Sequence, residues 1–241
     1  MKKSFSLLVS STLLVLVLGC SDPADNVPAA VVTETVKETP NESAAVGEKP
    51  DQAAPAPAAP AAAAAAAAAE GGKSFVLGGD SKIDFLASKA VGGETPGGFK
   101  KFVGQLSVVD GNLVATGSKI VIDMESTWTK SEKLTAHLKN EDFFNAPKFP
   151  TSTFEATEIL ASEDIYKISG NLTMHGITKP ISFPAAVQVS DDKVTLKSKF
   201  SINRYDFDMK YKGQADNVIR ERVTLTIDVT ATPGAADFSA L

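Results

Sequence analysis

The run Ile181-Ser182-Phe183-Pro184-Ala185-Ala186-Val187-Gln188-Val189 carries an apolar side chain at every odd position. Asp191-Asp192 follows as a turn, and Val194, Leu196, Phe200 and Ile202 then hold the apolar residues on even positions. A repeat of two sends successive side chains to opposite faces, the pattern of a β-strand with one face buried. The same alternation extends in both directions. Upstream lie Ile83, Phe85 and Ala87; then Phe102, Gly104, Leu106 and Val108; then Val114 and Thr116 leading to Ile120, Ile122 and Met124. Phe154, Ala156 and Leu160 come next, followed by Tyr166, Ile168, Gly170, Leu172 and Met174. Downstream, Val223, Leu225, Ile227 and Val229 complete eight runs. Asp110-Gly111 is a strong hairpin signal, and Gly117 marks a bulge.

One segment breaks the alternation. Thr129-Lys130-Ser131-Glu132 fits a capping box, with Leu134 and Leu138 one helical turn apart behind it. A second short turn is expected from Asn140, ended by Pro147 and Pro150. Long strands with one apolar face have to close on something. Eight strands suffice for a barrel filled by side chains or by one small ligand. A two-sheet sandwich fits the same alternation.

Composition divides the chain in three. Its 241 residues carry a net charge of -5, one Cys and two His. Residues 1–20 hold two lysines and no acid, residues 21–72 two lysines and eight acids, and residues 73–241 are nearly neutral. This mild acidity gives no concentrated basic patch for nucleic acid. A single Cys makes no internal disulfide and no thiolate metal cluster. Lys2 and Lys3 precede an apolar run, Ser4 to Leu18, that is shorter than the roughly 20 residues a bilayer core requires. It reads as a signal peptide over residues 1–19. Val17-Leu18-Gly19-Cys20 resembles the bacterial lipobox, whose Cys is acylated and becomes the first residue of the mature protein. Ser21 follows where an Asp would suggest inner-membrane retention, so an outer-membrane location is favoured. Residues 20–72 then read as the lipidated Cys and a disordered tether. From residue 21 to 72 there are 19 Ala, 7 Pro and no aromatic residue. Such a stretch buries too little apolar surface to offset its ordering entropy. The folded domain is expected over residues 73–241.

Within that domain several stretches, in order, carry a family resemblance: Gly98-Phe99-Lys100-Lys101-Phe102-Val103-Gly104, His137-Leu138-Lys139-Asn140-Glu141-Asp142-Phe143-Phe144, and Phe149-Pro150-Thr151-Ser152-Thr153-Phe154. Gly170-Asn171-Leu172-Thr173-Met174-His175-Gly176-Ile177-Thr178-Lys179-Pro180 and Val223-Thr224-Leu225-Thr226-Ile227-Asp228-Val229 follow. From about Ser81 to Ala231 the chain resembles the YceI-like family of bacterial periplasmic lipid-binding proteins. The resemblance implies an all-β, eight-stranded antiparallel, lipocalin-like barrel with one short helical insertion and an elongated apolar interior that binds a polyisoprenoid or fatty-acid-type chain. Two departures stand out. Many members carry Arg-Asp where this chain has Thr135-Ala136, and many have a His in the first loop, which Lys89 to Gly98 lacks. Head-group contacts do not carry over there.

The side chains expected to line the interior and bind ligand are Phe102, Leu106, Ile122, Phe154, Ile168, Leu172, Phe183, Leu196, Phe200, Leu225 and Ile227. Trp128, Leu138, Phe143 and Phe144 are expected at the mouth or as a lid, with a core plug under the helix as the equal alternative for Trp128 and the phenylalanines. Gly104, Gly170 and Ala185 among the inward positions favour free volume. Arg204, Tyr205, Tyr211, Arg220 and Arg222 read as a solvated loop and strand face. Asp206 and Asp208 alternate with aromatics and face solvent. His137 reads as a helix-surface residue and His175 as a turn residue, and the chain has no His-Glu-x-x-His, nucleophile elbow or phosphate loop. No metal, cofactor or catalytic residue is expected, and the chain reads as a binding protein, not an enzyme. Its expected partners are an isoprenoid or acyl-chain lipid and the membrane, through Cys20; a homodimer is left open. The rival reading is the same barrel fully packed, binding another envelope protein through its loops.

Overall fold

In the computed structural model the described residues are 22–32, 72–91, 93–162, 165–211, 213–214 and 217–241. Cys20 and the signal segment lie outside them, as do residues 33–71 of the expected tether. A short strand, β1 (Val31–Val32), precedes the domain. Then come β2 (Lys73–Leu77), β3 (Lys82–Lys89), β4 (Glu94–Phe99), β5 (Phe102–Val109), β6 (Asn112–Asp123) and β7 (Thr127–Thr129). A two-turn helix, α1 (Glu132–Leu138), leads to β8 (Thr151–Ser162), β9 (Ile165–Met174), β10 (Ile177–Val189) and β11 (Val194–Asn203). β12 (Gly213–Gln214) and the long β13 (Asn217–Pro233) finish the sheet.

These segments amount to eight strands. β2 and β3 lie along one edge of β13, against its end and its beginning, and act as one interrupted strand. β4 and β5 pair with β3 and β2 in turn, and β7 and β6 pair with β4 and β5. β8, β9 and β10 follow as antiparallel neighbours, and β11 pairs with both β10 and β13 to close the barrel. Side chains make the interruptions. The Ser126 hydroxyl accepts the N–H groups of Lys100 and Lys101 at 3.2 and 3.0 Å, and Asp123 accepts the Glu125 N–H at 2.9 Å to cap a 3-10 turn. The hairpin signals are realised at two turns: Asp110-Gly111 (φ 50° and 77°) and His175-Gly176 (φ 52° and 75°). Two positive φ values in a row match the twist of the flanking strands.

Alternation places the core. Leu106, Val108, Ile168, Phe183, Leu196, Phe200, Val229 and Ala231 are all buried in one cluster. Fully burying each of the larger side chains contributes about 1.5–3 kcal/mol.

Three local expectations change. The N-cap of α1 is Ser131, whose hydroxyl accepts the Leu134 N–H at 3.3 Å. Thr129 does not cap; its hydroxyl donates to the Ser131 carbonyl and lies 3.0 Å from the Thr135 hydroxyl. Arg204-Tyr205-Asp206-Phe207 is a 3-10 turn, not strand, because Asn203 accepts the Tyr205 N–H and Asp208 takes a left-handed conformation at φ 59°. Finally, residues 22–32 of the expected tether pack on the barrel. β10 pairs with β11 only over Ala186–Val189. Where the two diverge, Ser201 N–H donates to Pro28 O at 2.9 Å, Ala30 N–H donates to Ser201 O at 2.8 Å, and Val31–Val32 pairs with Ser182 and Ile181. The unpaired backbone groups of two diverging strands attract any extended segment nearby, and an Ala-Val-Val run supplies one.

Candidate functional site

The interior is not fully packed. A chamber of about 90 Å³ lies at the level of Ile83, Leu106, Ile168, Phe183 and Phe200. A second, of about 120 Å³, lies under α1, among Phe85, Phe99, Leu138, Phe143, Phe144 and Val223. Ile83, Ile122, Leu172 and Leu225 line both, so those side chains stand between the two. Carbon dominates the walls, as the inward parity of every strand dictates. In the first chamber Phe183 stacks on Phe200 at 4.3 Å and 5°, and Phe154 tilts against Phe183 at 5.5 Å. At the second, Phe85, Phe99 and Phe144 form a mutual cluster with centroids 5.8–6.4 Å apart.

One charge enters the lining of the second chamber. Arg204 lines the second chamber and is only 3% exposed. Its guanidinium donates to the carbonyls of Met209, Ile219 and Arg220, which ties the 3-10 turn to the first residues of β13. Burial pulls its pKa below the usual range, partly offset by Tyr205 and Glu221; an arginine remains charged nonetheless. No carboxylate pairs with it directly among the described residues. At the rim, Tyr211 packs against His137 and Phe143 at 5.0 and 5.1 Å. His137 lies 3.3 Å from the Asp142 carboxylate and is half-buried on the outside of α1. His175 has more than a turn to make: its Nδ1 lies 3.0 Å from the Phe207 carbonyl, linking the β9–β10 turn to the 3-10 turn. Asp208 is exposed beside Lys210 at 2.6 Å, which holds its carboxyl below the usual range. Among the described residues no three His, Cys, Asp or Glu come together. Lined mostly by aliphatic and aromatic side chains, the arrangement can bury an apolar chain.

Leu106, Ile122, Phe154, Ile168, Leu172, Phe183, Leu196, Phe200, Leu225 and Ile227 face the first chamber, and Leu138, Phe143 and Phe144 the second. Two expected residues lie elsewhere. Phe102 and Trp128 line an open cleft on the outer wall with Leu77, Asp84 and Phe99. Trp128 pairs with Gly98, itself paired with Asp84, so it shares their outward parity and is no lid. Phe102 pairs with Ile122, which lines both chambers, but itself borders only the cleft, beside the break between β4 and β5. Gly104 and Gly170 leave no free volume either: a Cβ at Gly104 would stand 2.5 Å from Leu77, and one at Gly170 2.4 Å from Phe154. Arg204 is buried, not solvated. The alternation missed Arg204 and Met209 because the 3-10 turn carries no period of two. Ile83, Phe85 and Ile181 were readable from parity alone.

A closed antiparallel barrel with an apolar interior and a helix over one end is a lipocalin-like barrel. Residues 77–231 match the family model described as the YceI-like domain, and the chain belongs to the YceI-like family. It is 38% identical over 86 residues to a UPF0312 protein of Yersinia pestis, covering 36% of this chain and 45% of that one. A UPF0312 protein of Pseudomonas aeruginosa is 39% identical over 89 residues, covering 37% and 47%. These matches span about half the length of the curated relatives. Two solved structures share the fold. BcnA of Burkholderia cenocepacia has a TM-score of 0.58 at 21% identity, covering 63% of this chain and 96% of that one. A polyisoprenoid binding domain from Saccharophagus degradans has a TM-score of 0.55 at 16% identity, covering 67% and 99%.

Proposed function

We propose that this chain binds an isoprenoid or fatty-acid-type chain inside its barrel, without catalysis, and carries or sequesters it in the bacterial envelope. The observation that supports this most is the pair of adjoining apolar chambers. A well-packed interior leaves few voids larger than a water molecule, yet here two remain, end to end, with almost no polar lining. The similarity of fold to a protein described as a polyisoprenoid binding domain points the same way. An apolar cavity on the order of 150 Å³ takes a benzene-sized ligand. A longer chain therefore has to occupy both chambers and swing aside the side chains between them. Each methylene buried contributes about 0.8 kcal/mol, so a chain of about a dozen carbons gains affinity without polar recognition. The packed-barrel rival has no such use for the space. In this reading Cys20 bears the lipid that holds the protein to the envelope, with the outer membrane favoured by Ser21.

The division between the chambers provides the test. Leu172 lines both. Leu172→Trp fills the passage while keeping the site apolar, and is expected to lower affinity for a fluorescent prenyl or acyl probe at least tenfold, about 1.4 kcal/mol, with an unchanged circular dichroism spectrum. Undiminished binding in the folded variant would contradict occupancy of both chambers.

A further inference from the structure

Asp22 stands two residues beyond Cys20 and is 5% exposed. Asp is almost never so buried unless paired, and Asp22 is held on three sides. Its carboxylate accepts the Ala24 N–H at 3.1 Å and the Ser88 hydroxyl at 2.8 Å, and lies 3.5 Å from Arg220 Nε. Three residues on, Asp25 accepts from the Arg222 guanidinium at 3.0 Å. The chain then crosses to Ser201 and enters the divergence of β10 and β11, where Ala30 and Val32 pack on the core and Val31 faces out. Residues 22–32 are thus fastened at the rim, on the outer wall and in the seam.

The rim in question is the one under α1. Lys89 pairs with Ile219 in the outermost rung of β3 and β13, and Ile219 packs in one cluster with Leu138, Phe143 and Tyr211. Covalent geometry then limits where a lipid on Cys20 can be. Two residues reach about 7 Å at most. β13 runs 17 residues from this rim to the far one, roughly 55 Å of strand path at 3.3 Å per residue. The same rim exposes Val91 (75%) and Val218 (41%), brought together by the Ala90 N–H donating to Val218 O at 2.8 Å. The far rim presents Asp110, Asp191 (2.8 Å from Lys73) and Asp192, with Leu160 and Ile165 exposed beside them.

We propose that residues 22–32 are a strap that seats the α1 rim of the barrel on the lipid bilayer, so that the chamber lined by Phe143, Phe144 and Leu138 opens towards the membrane and receives its ligand from it. The proposal rests on the reading that Cys20 is acylated. A long free tether would give the barrel no preferred orientation; a strap fixed two residues from the anchor gives it one.

The test uses the full-length protein, purified with its lipid and reconstituted into phosphatidylethanolamine–phosphatidylglycerol vesicles. Acylation occupies the Cys20 thiol, so a Cys introduced by Val218→Cys or by Asp191→Cys is the sole labelling site for an environment-sensitive dye. Spin-labelled lipids are expected to quench the dye at position 218 and to leave that at 191 unquenched. Asp22→Ala with Asp25→Ala, the acyl mass retained, is expected to abolish that difference. Equal quenching at the two rims of the acylated protein overturns the strap alone, and needs no variant of the strap to fold. Loss of both strap carboxylates with the difference unchanged overturns it too. Absence of acyl mass on Cys20 overturns the anchor reading, and the proposal with it.

Discussion

Arg204 concentrates the consequences of burial in one side chain. Three backbone carbonyls from two segments converge on it. Removing the guanidinium strands them in an apolar wall, and an unsatisfied buried polar group costs about 1–3 kcal/mol. Arg204→Met is therefore expected to lower unfolding free energy by about 3 kcal/mol, read as a shifted urea midpoint with an unchanged slope. A change under about 0.5 kcal/mol, the size of an ordinary surface substitution, would mean that solvent serves those carbonyls. Gly170 poses the opposite problem. Its missing Cβ is the room that Phe154 and the Glu155 carbonyl occupy. Gly170→Ala is expected to cost about 2 kcal/mol by overpacking, and to reshape the first chamber because Phe154 is part of its wall. Both residues show where the sequence is silent. Parity told that Gly170 faces inward, and free volume seemed to follow; which large neighbour fills the gap depends on strands distant in sequence. Arg204 looked solvated because a charge near a strand end usually is.

At the scale of elements, legibility followed periodicity. The runs from Ile165 to Asn203 and the β13 register were readable because one buried face imposes a period of two over ten or more residues. Hairpins at Asp110-Gly111 and His175-Gly176 were readable from turn chemistry. Short elements held by single side chains were not. The cap of α1 moved from Thr129 to Ser131, since both hydroxyls suit the role and only the path out of β7 selects between them. Ser131→Ala is expected to cost about 1 kcal/mol and to speed hydrogen exchange at the Leu134 amide, while Thr129→Val leaves that amide protected. The reverse pattern would restore Thr129 as the cap. Residues 22–32 were hidden for a further reason. Their composition belongs to the tether, and the site that receives them exists only after β10 and β11 have diverged.

At the scale of the molecule, the barrel answers a conflict between closure and filling. Eight strands enclose a space that the inward side chains almost, but not wholly, occupy. Phe183, Phe200 and Phe154 fill the middle, the phenylalanines beneath α1 fill one end, and the residual space runs between them. The interior residues were legible in the sequence nearly one by one, whereas Phe102 and Trp128 were lost to the outer cleft where the wall splits. Whether that interior holds a lipid is decided by native mass spectrometry of the full-length protein isolated from cell envelopes, followed by solvent extraction. The account predicts a discrete excess mass, separate from any covalent acyl mass, that extracts as an isoprenoid or fatty-acid-type compound and is absent from Leu172→Trp. A clean ligand-free mass that takes up no added prenyl or acyl chain would contradict it.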